Sequence, residues 1–233
     1  MAILSNGFFR SGFYARAYRK LLHTIYVNDL WLDLRLHAKR EAVEYIIANM
    51  GDAMVLADRY DLLKFAFAHA PKEGLVAEFG VAKGASLRFL AGQTGRVVHG
   101  FDSFGGLPQD WSGTKEQRGA FTAKGRLPKM PGNVQLHPGW FDQTLPGFMA
   151  ANPGPCAFIH VDCDIYTSTA TIFDALRGRI QSGTVIVFDE YFNYPGWRAH
   201  EYKAFQEFIK ESGLSYGYIG VSGEKGHVAV TIL

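Results

Sequence analysis

Asp162 and Asp164 lie two residues apart, just past the apolar run Ala157–Val161, and Asp189 and Glu190 end a second run, Val185–Phe188. Carboxylates gathered at strand ends repel one another unless a cation or a shared proton relieves them. A hard divalent ion such as Mg²⁺ takes oxygen ligands and keeps waters, which leaves room for a substrate oxygen. Asp162, Asp189 and Glu190 are therefore the expected metal ligands. A hydroxyl bound to such an ion becomes more acidic. Asp164 is placed to take its proton as general base, with His137 and His200 open as alternatives. His160 reads as a hydrogen-bonded core histidine. Taken singly, each acid could also be a helix cap or half of a surface ion pair.

A second constellation is Glu78-Phe79-Gly80-Val81-Ala82-Lys83-Gly84, which follows a short apolar strand and opens a helix. Gly80 allows a tight turn and leaves room for a ligand against the backbone. The spacing is not the Gly-x-Gly-x-x-Gly dinucleotide fingerprint, in which a pyrophosphate needs a bare helix N-terminus. An acidic residue followed by Gly-x-x-x-Gly is instead a pattern of S-adenosylmethionine (SAM) binders. Asp102, at the end of the next strand, is positioned to accept hydrogen bonds from ribose hydroxyls. The expected cofactor residues are Glu78, Gly80, Gly84, Ser86, Asp102, Ser103 and Asp162. The glycines alone also fit a plain strand-to-helix turn, so an α/β nicotinamide oxidoreductase stays open as an alternative.

The elements that must carry these residues are legible in the hydrophobic periodicity. Strands are expected at 75–79, 97–101, 134–137, 155–161 and 184–188, with helices at 85–93, 142–150, 168–178 and 199–212 between them. Alternation of this kind implies a parallel sheet with helices on both faces. The chain closes with runs 216–221 and 227–233 around a glycine-containing turn, which reads as an antiparallel hairpin. The expected fold is α/β and Rossmann-like, a mostly parallel seven-stranded sheet with a C-terminal antiparallel hairpin. Strands of a neighbouring parallel pair are joined by right-handed crossovers, which sets Asp162 and Asp189 side by side.

Ahead of this core, helices are expected at 8–23, 33–50 and 58–69, the last capped by Asp58 and followed by Pro71. The first carries aromatic and basic residues at helical spacing, suited to packing on the core or on a second subunit; a membrane-surface helix is the alternative. Residues 105–133 are too long for an ordinary connection and read as a lid. Its basic residues Lys115, Arg118, Lys124, Arg126 and Lys129 either meet an anionic substrate or only solvate the loop. The residues 191–197 after the second acidic pair either stack on an acceptor or pack as a loop. The domain expectation is an N-terminal helical region, 1–70, and a cofactor-binding domain, 71–233.

Composition narrows the classes. With 233 residues, 24 Lys and Arg against 22 Asp and Glu, and a net charge of +2, the chain gives no argument for a nucleic-acid partner. No run of apolar residues is long enough to span a bilayer, and no secretory signal is read at the N-terminus. Cys156 and Cys163 form neither a zinc motif nor a disulfide framework, so the expected setting is the reducing cytoplasm.

Four segments in order carry a family resemblance: Glu78–Gly84, Gly100-Phe101-Asp102-Ser103-Phe104-Gly105-Gly106-Leu107-Pro108, His160-Val161-Asp162-Cys163-Asp164-Ile165-Tyr166, and Phe188-Asp189-Glu190-Tyr191. Over roughly residues 55–210 the chain resembles the macrocin O-methyltransferase family (TylF/MycF/NovP type). The resemblance implies a class I, SAM- and Mg²⁺-dependent O-methyltransferase acting on a sugar or glycosylated small molecule. It assigns metal binding to Asp162 and the base to Asp164. It also implies a homo-oligomer, with the N-terminal region serving substrate choice and subunit contacts. Arg59-Tyr60-Asp61-Leu62-Leu63 resembles the segment that closes over SAM. The family's later acidic pair is Asp-Asp, and Glu190 departs from it by one longer arm. A non-catalytic SAM-fold binding protein is the reading from another class.

Overall fold

The computed structural model describes residues 12–233, and the expected helical residues 8–11 lie outside it. Two helices, α1 (Gly12–Asn28) and α2 (Leu30–Asn49), lead into a three-residue strand, β1 (Met54–Leu56), and α3 (Arg59–His69). The core then alternates β2 (Leu75–Phe79), α4 (Ala85–Gly92), β3 (Val98–Asp102), β4 (Val134–Pro138), α5 (Phe141–Ala151), β5 (Cys156–Val161), α6 (Tyr166–Leu176) and β6 (Val185–Phe188). A 3₁₀ turn (Trp197–Ala199), α7 (Glu201–Ser212), β7 (Tyr216–Ser222) and β8 (Val228–Ile232) complete the chain.

All strands join one sheet in the order β1-β7-β8-β6-β5-β2-β3-β4. β8 runs antiparallel to β6 and β7, and the other pairings are parallel. The architecture is the expected one with an eighth strand, β1, laid parallel against β7. Three residues give too short a run for a period-2 pattern to show. β1 and α3 precede residue 71 yet are built into the sheet and its covering layer, with Leu62, Leu63 and Ala66 fully buried.

Strand alternation sorts the core onto two faces. Phe79, Phe101, Ile159, Val161, Ile186 and Phe188 face α5, α6 and α7. Val76, Phe158, Val185 and Val187 face α3 and α4. Each fully buried side chain of this size contributes about 1.5–3 kcal/mol, so both faces hold the sheet in register. The order of strands brings the C-terminal ends of β2, β3, β5 and β6 to one edge, where ligands of open α/β sheets bind.

Of the two N-terminal helices, only α2 packs on this core. α1 buries no side chain among those described, and Tyr14, Tyr18 and Leu21 are exposed. α2 docks at its C-terminal end, where Ala38, Ala42 and Met50 are buried and the Tyr45 hydroxyl lies 2.6 Å from that of Tyr218. No helix among the described residues is long and apolar enough to cross a membrane.

Candidate active site

A cavity of about 560 Å³ opens at the C-terminal strand ends. Gly80, Ala82, Asp102, Ser103, Asp162, Asp164, Asp189 and Glu190 all line it, so the sheet brings both predicted constellations to one room.

On the β2–β3 side, Asp102 works as a clamp for the glycine loop. One carboxylate oxygen accepts the N–H groups of Val81 and Ala82 at 2.8 and 2.7 Å, and the other accepts that of Phe104 at 2.6 Å. Gly80 has φ +95°, and a Cβ there would stand 1.6 Å from the Asp162 carbonyl oxygen. The loop is therefore pressed against the end of β5, and only glycine fits.

Three expected cofactor residues stand behind this wall. Glu78, Gly84 and Ser86 do not line the cavity. Glu78 is fully buried, accepting from the Ser86 hydroxyl at 3.1 Å and pairing with His160 Nδ1 at 2.9 Å. The reason is register: Glu78 stands opposite His160 in the β2–β5 ladder, and directly opposed residues share a face. Glu78 thus ties β2, α4 and β5 together from below. His160 is the core histidine expected. Burial alone would lower its pKa, but Asp189 and Glu78 outweigh that and push it up to about 10.

On the β5–β6 side the carboxylates divide. Ligand atoms of Asp162, Asp164 and Glu190 lie within 4.8 Å of one another, as do those of His160, Asp162 and Asp189. Asp189 turns away from Glu190: its Oδ1 lies 3.1 Å from Arg59 Nη2 and 3.1 Å from His227 Nδ1, with His160 Nε2 at 3.8 Å. Arg59 Nη2 also donates to Asp162 Oδ2 at 3.1 Å. Burial would raise the Asp189 pKa, but His160 and His227 hold it well below the usual carboxylate range. Asp162, Asp164 and Glu190 are all pushed up, by burial first and by Asp189 next, with Asp164 reaching about 7. One oxygen of Glu190, Oε2, is buried without a hydrogen-bond partner.

Several contributors were not singled out by sequence. Glu201, fully buried at the start of α7, accepts the backbone N–H of Asp164 with one oxygen and that of Glu190 with the other, each at 3.2 Å. It thereby fastens the two strand ends together and holds Asp164 at φ +68°. An acid in a first helical turn is ordinary, so nothing in the sequence marked it. Arg59, in the segment singled out by resemblance, opens α3, where a cation opposes the helix dipole; its meeting with Asp162 and Asp189 was not read from the sequence. Trp140, Phe141 and Asp142 after β4, Thr167, Ser168 and Thr171 of α6, and Lys225 in the last hairpin also line the cavity.

The alternative bases sit elsewhere. His137 stacks on Phe101 and meets His99, and His200 lies against Ser112; neither lines the cavity. Tyr191, Phe192 and Trp197 are buried, so that segment packs as a loop. Residues 105–133 fold back on themselves through Leu107–Ala120, Trp111–Glu116 and Ala123–Phe104 backbone hydrogen bonds. They present Leu107, Trp111 and Phe121 to the cavity, and none of the five basic side chains of the segment.

Comparison with known proteins places this geometry. Residues 77–191 match the family model described as a methyltransferase domain. The 8-demethyl-8-(2,3-dimethoxy-alpha-L-rhamnosyl)-tetracenomycin-C 4'-O-methyltransferase of Streptomyces olivaceus is 28% identical over 172 residues, 61% of this chain and 64% of that protein. The match thus spans a little under two thirds of the relative's length. Among solved structures, the calicheamicin methyltransferase CalS11 superposes with a TM-score of 0.59 at 21% identity, covering 95% of this chain and 93% of the other. The O-methyltransferase NovP gives 0.58 at 20% identity, covering 74% and 78%. At such identities these two likenesses are ones of fold.

Proposed function

We propose that this chain, whose residues 77–191 belong to the methyltransferase-domain family, is a SAM-dependent O-methyltransferase acting on a hydroxyl of a sugar or glycosylated small molecule. One observation carries the reading: the glycine-loop edge, Gly80 to Ser103, and the carboxylate cluster, Asp162 to Glu190, open onto the same cavity. The sugar acceptor is brought over from the tetracenomycin relative, which is named for methylation of a rhamnosyl hydroxyl.

In this reading Gly80 and the loop clamped by Asp102 seat SAM, which supplies the methyl group on a good leaving group. The protein then aligns the acceptor oxygen with that methyl and removes the acceptor proton. Asp164, held in place by Glu201, takes the proton. Trp111, Phe121 and Trp140 narrow the opening and limit water. The two N-terminal helices serve the acceptor side and contacts between copies.

The residues fit a hard divalent cation such as Mg²⁺. The donors are carboxylate oxygens, and Glu190 Oε2 is buried with no partner of its own. Asp162 and Glu190, whose ligand atoms lie within 4.8 Å of one another, would hold the ion, joined by Asp189 once Arg59 releases its Oδ1, and when bound it would make the acceptor hydroxyl more acidic.

The test is a panel of glycosides incubated with SAM, with Mg²⁺ or chelator, and read by mass. A methylated product that needs Mg²⁺ and vanishes in Asp162→Asn is the expected result. Calorimetry without detectable SAM binding would sink the reading, and SAM binding without turnover on any hydroxyl would turn it toward a binding protein.

A further inference from the structure

A single nitrogen of Arg59, Nη2, lies 3.1 Å from Asp162 Oδ2 and 3.1 Å from Asp189 Oδ1. It bridges carboxylates from two strands at the place where a cation shared by β5 and β6 would sit. The guanidinium is incompletely paired. Arginines frequently engage a carboxylate through two parallel hydrogen bonds, whereas here one nitrogen serves two acids and Nε is buried with no partner. Its place in the first turn of α3 also sets its charge against the helix dipole. The side chain is a quarter exposed and lines the cavity, so it has room to leave. His227 stays on Asp189 at 3.1 Å, so that carboxylate keeps a partner when Arg59 moves.

We propose that Arg59 competes with a divalent ion for its ligands: it bridges Asp162 and Asp189, and the ion must displace it to bind both. The inference rests on the metal reading given above. Guanidinium and metal compete for the same oxygens, so each weakens the other's hold by the same factor. Arg59 thereby keeps the two carboxylates paired, at the cost of some metal affinity. It also makes the start of α3 responsive to metal.

The experiment is titration of Mn²⁺ followed by electron paramagnetic resonance, on the parent protein, Arg59→Met, Arg59→Lys and Asp162→Asn, with thermal unfolding measured in parallel with and without Mg²⁺. Arg59→Met is expected to bind Mn²⁺ on the order of tenfold more tightly than the parent, with Arg59→Lys between them and Asp162→Asn binding weakly. Mg²⁺ is expected to raise the melting temperature of Arg59→Met more than that of the parent. Equal or weaker binding by Arg59→Met, with the parent binding normally, overturns the role of Arg59 and leaves the metal reading standing. No binding by any of the proteins overturns both. If Arg59→Met folds only with metal, that supports the proposal; if it does not fold even then, Arg59→Lys decides on the same criterion of tighter binding.

Discussion

His160 Nδ1 lies 2.9 Å from Glu78 Oε2, and neither side chain reaches solvent. Removing one partner of a buried charged pair costs about 3–5 kcal/mol, because the other is left uncompensated. Glu78→Ala is expected to lose that much stability in urea unfolding, and Glu78→Gln, which keeps an acceptor for Ser86, less. SAM affinity measured on the folded fraction should change little, since Glu78 stands behind the loop. An alanine variant as stable as the parent would refute the weight given to the pair.

Gly80→Ala puts a Cβ against the Asp162 carbonyl at a position of positive φ. Neither the loop nor the end of β5 can yield without disturbing the other. We expect the variant to lose SAM binding by calorimetry, while Gly147→Ala, where nothing lies within 4 Å of the added carbon, leaves binding intact.

Glu201→Ala strips the partner from two backbone N–H groups, those of Asp164 and Glu190. Each buried donor left unmet costs roughly 1–3 kcal/mol. The expected phenotype is a lowered melting temperature together with a fall in turnover larger than the loss of folded protein explains. Turnover that tracks only the folded fraction would mean that Glu201 holds the fold and not the carboxylates.

The His99–His137 pair contributes a pH dependence of its own. Burial first, and the neighbouring His137 second, lower the His99 pKa from 6.5 to about 4. Between these values the unfolded chain binds a proton that His99 in the folded chain refuses, so the contribution of this group is full above pH about 6.5 and is lost as the pH drops toward 4. Melting temperatures across this window should fall less steeply for His99→Phe than for the parent. Parallel slopes would locate the acid sensitivity elsewhere.

Much of the fold could be read directly from the chain. The Asp58 cap accepts the N–H groups of Tyr60 and Asp61 as its type and place imply, and the apolar runs became strands within about two residues of their expected limits. Which residues meet in the site was legible only for those on strand ends. Asp162 and Asp189 come together because their strands are neighbours. Arg59 reaches them from a helix a hundred residues earlier, and Glu201 from the far side of the last crossover; no local spacing encodes such meetings. Glu78 shows a different limit. Its place in a glycine motif pointed to a ligand, but strand alternation and its partner across the ladder turned it inward.

Trp111 and Trp140 stand on segments that follow different strands, and both border the cavity. The remaining tryptophans lie elsewhere, Trp31 exposed on α2 and Trp197 sealed in the interior. The protein thus carries its own optical reporter. Replacing Trp31 and Trp197 by phenylalanine would leave an emission arising only from the rim of the cavity, so entry of the methyl donor and of the acceptor could be timed separately in a stopped-flow mixer, without a dye.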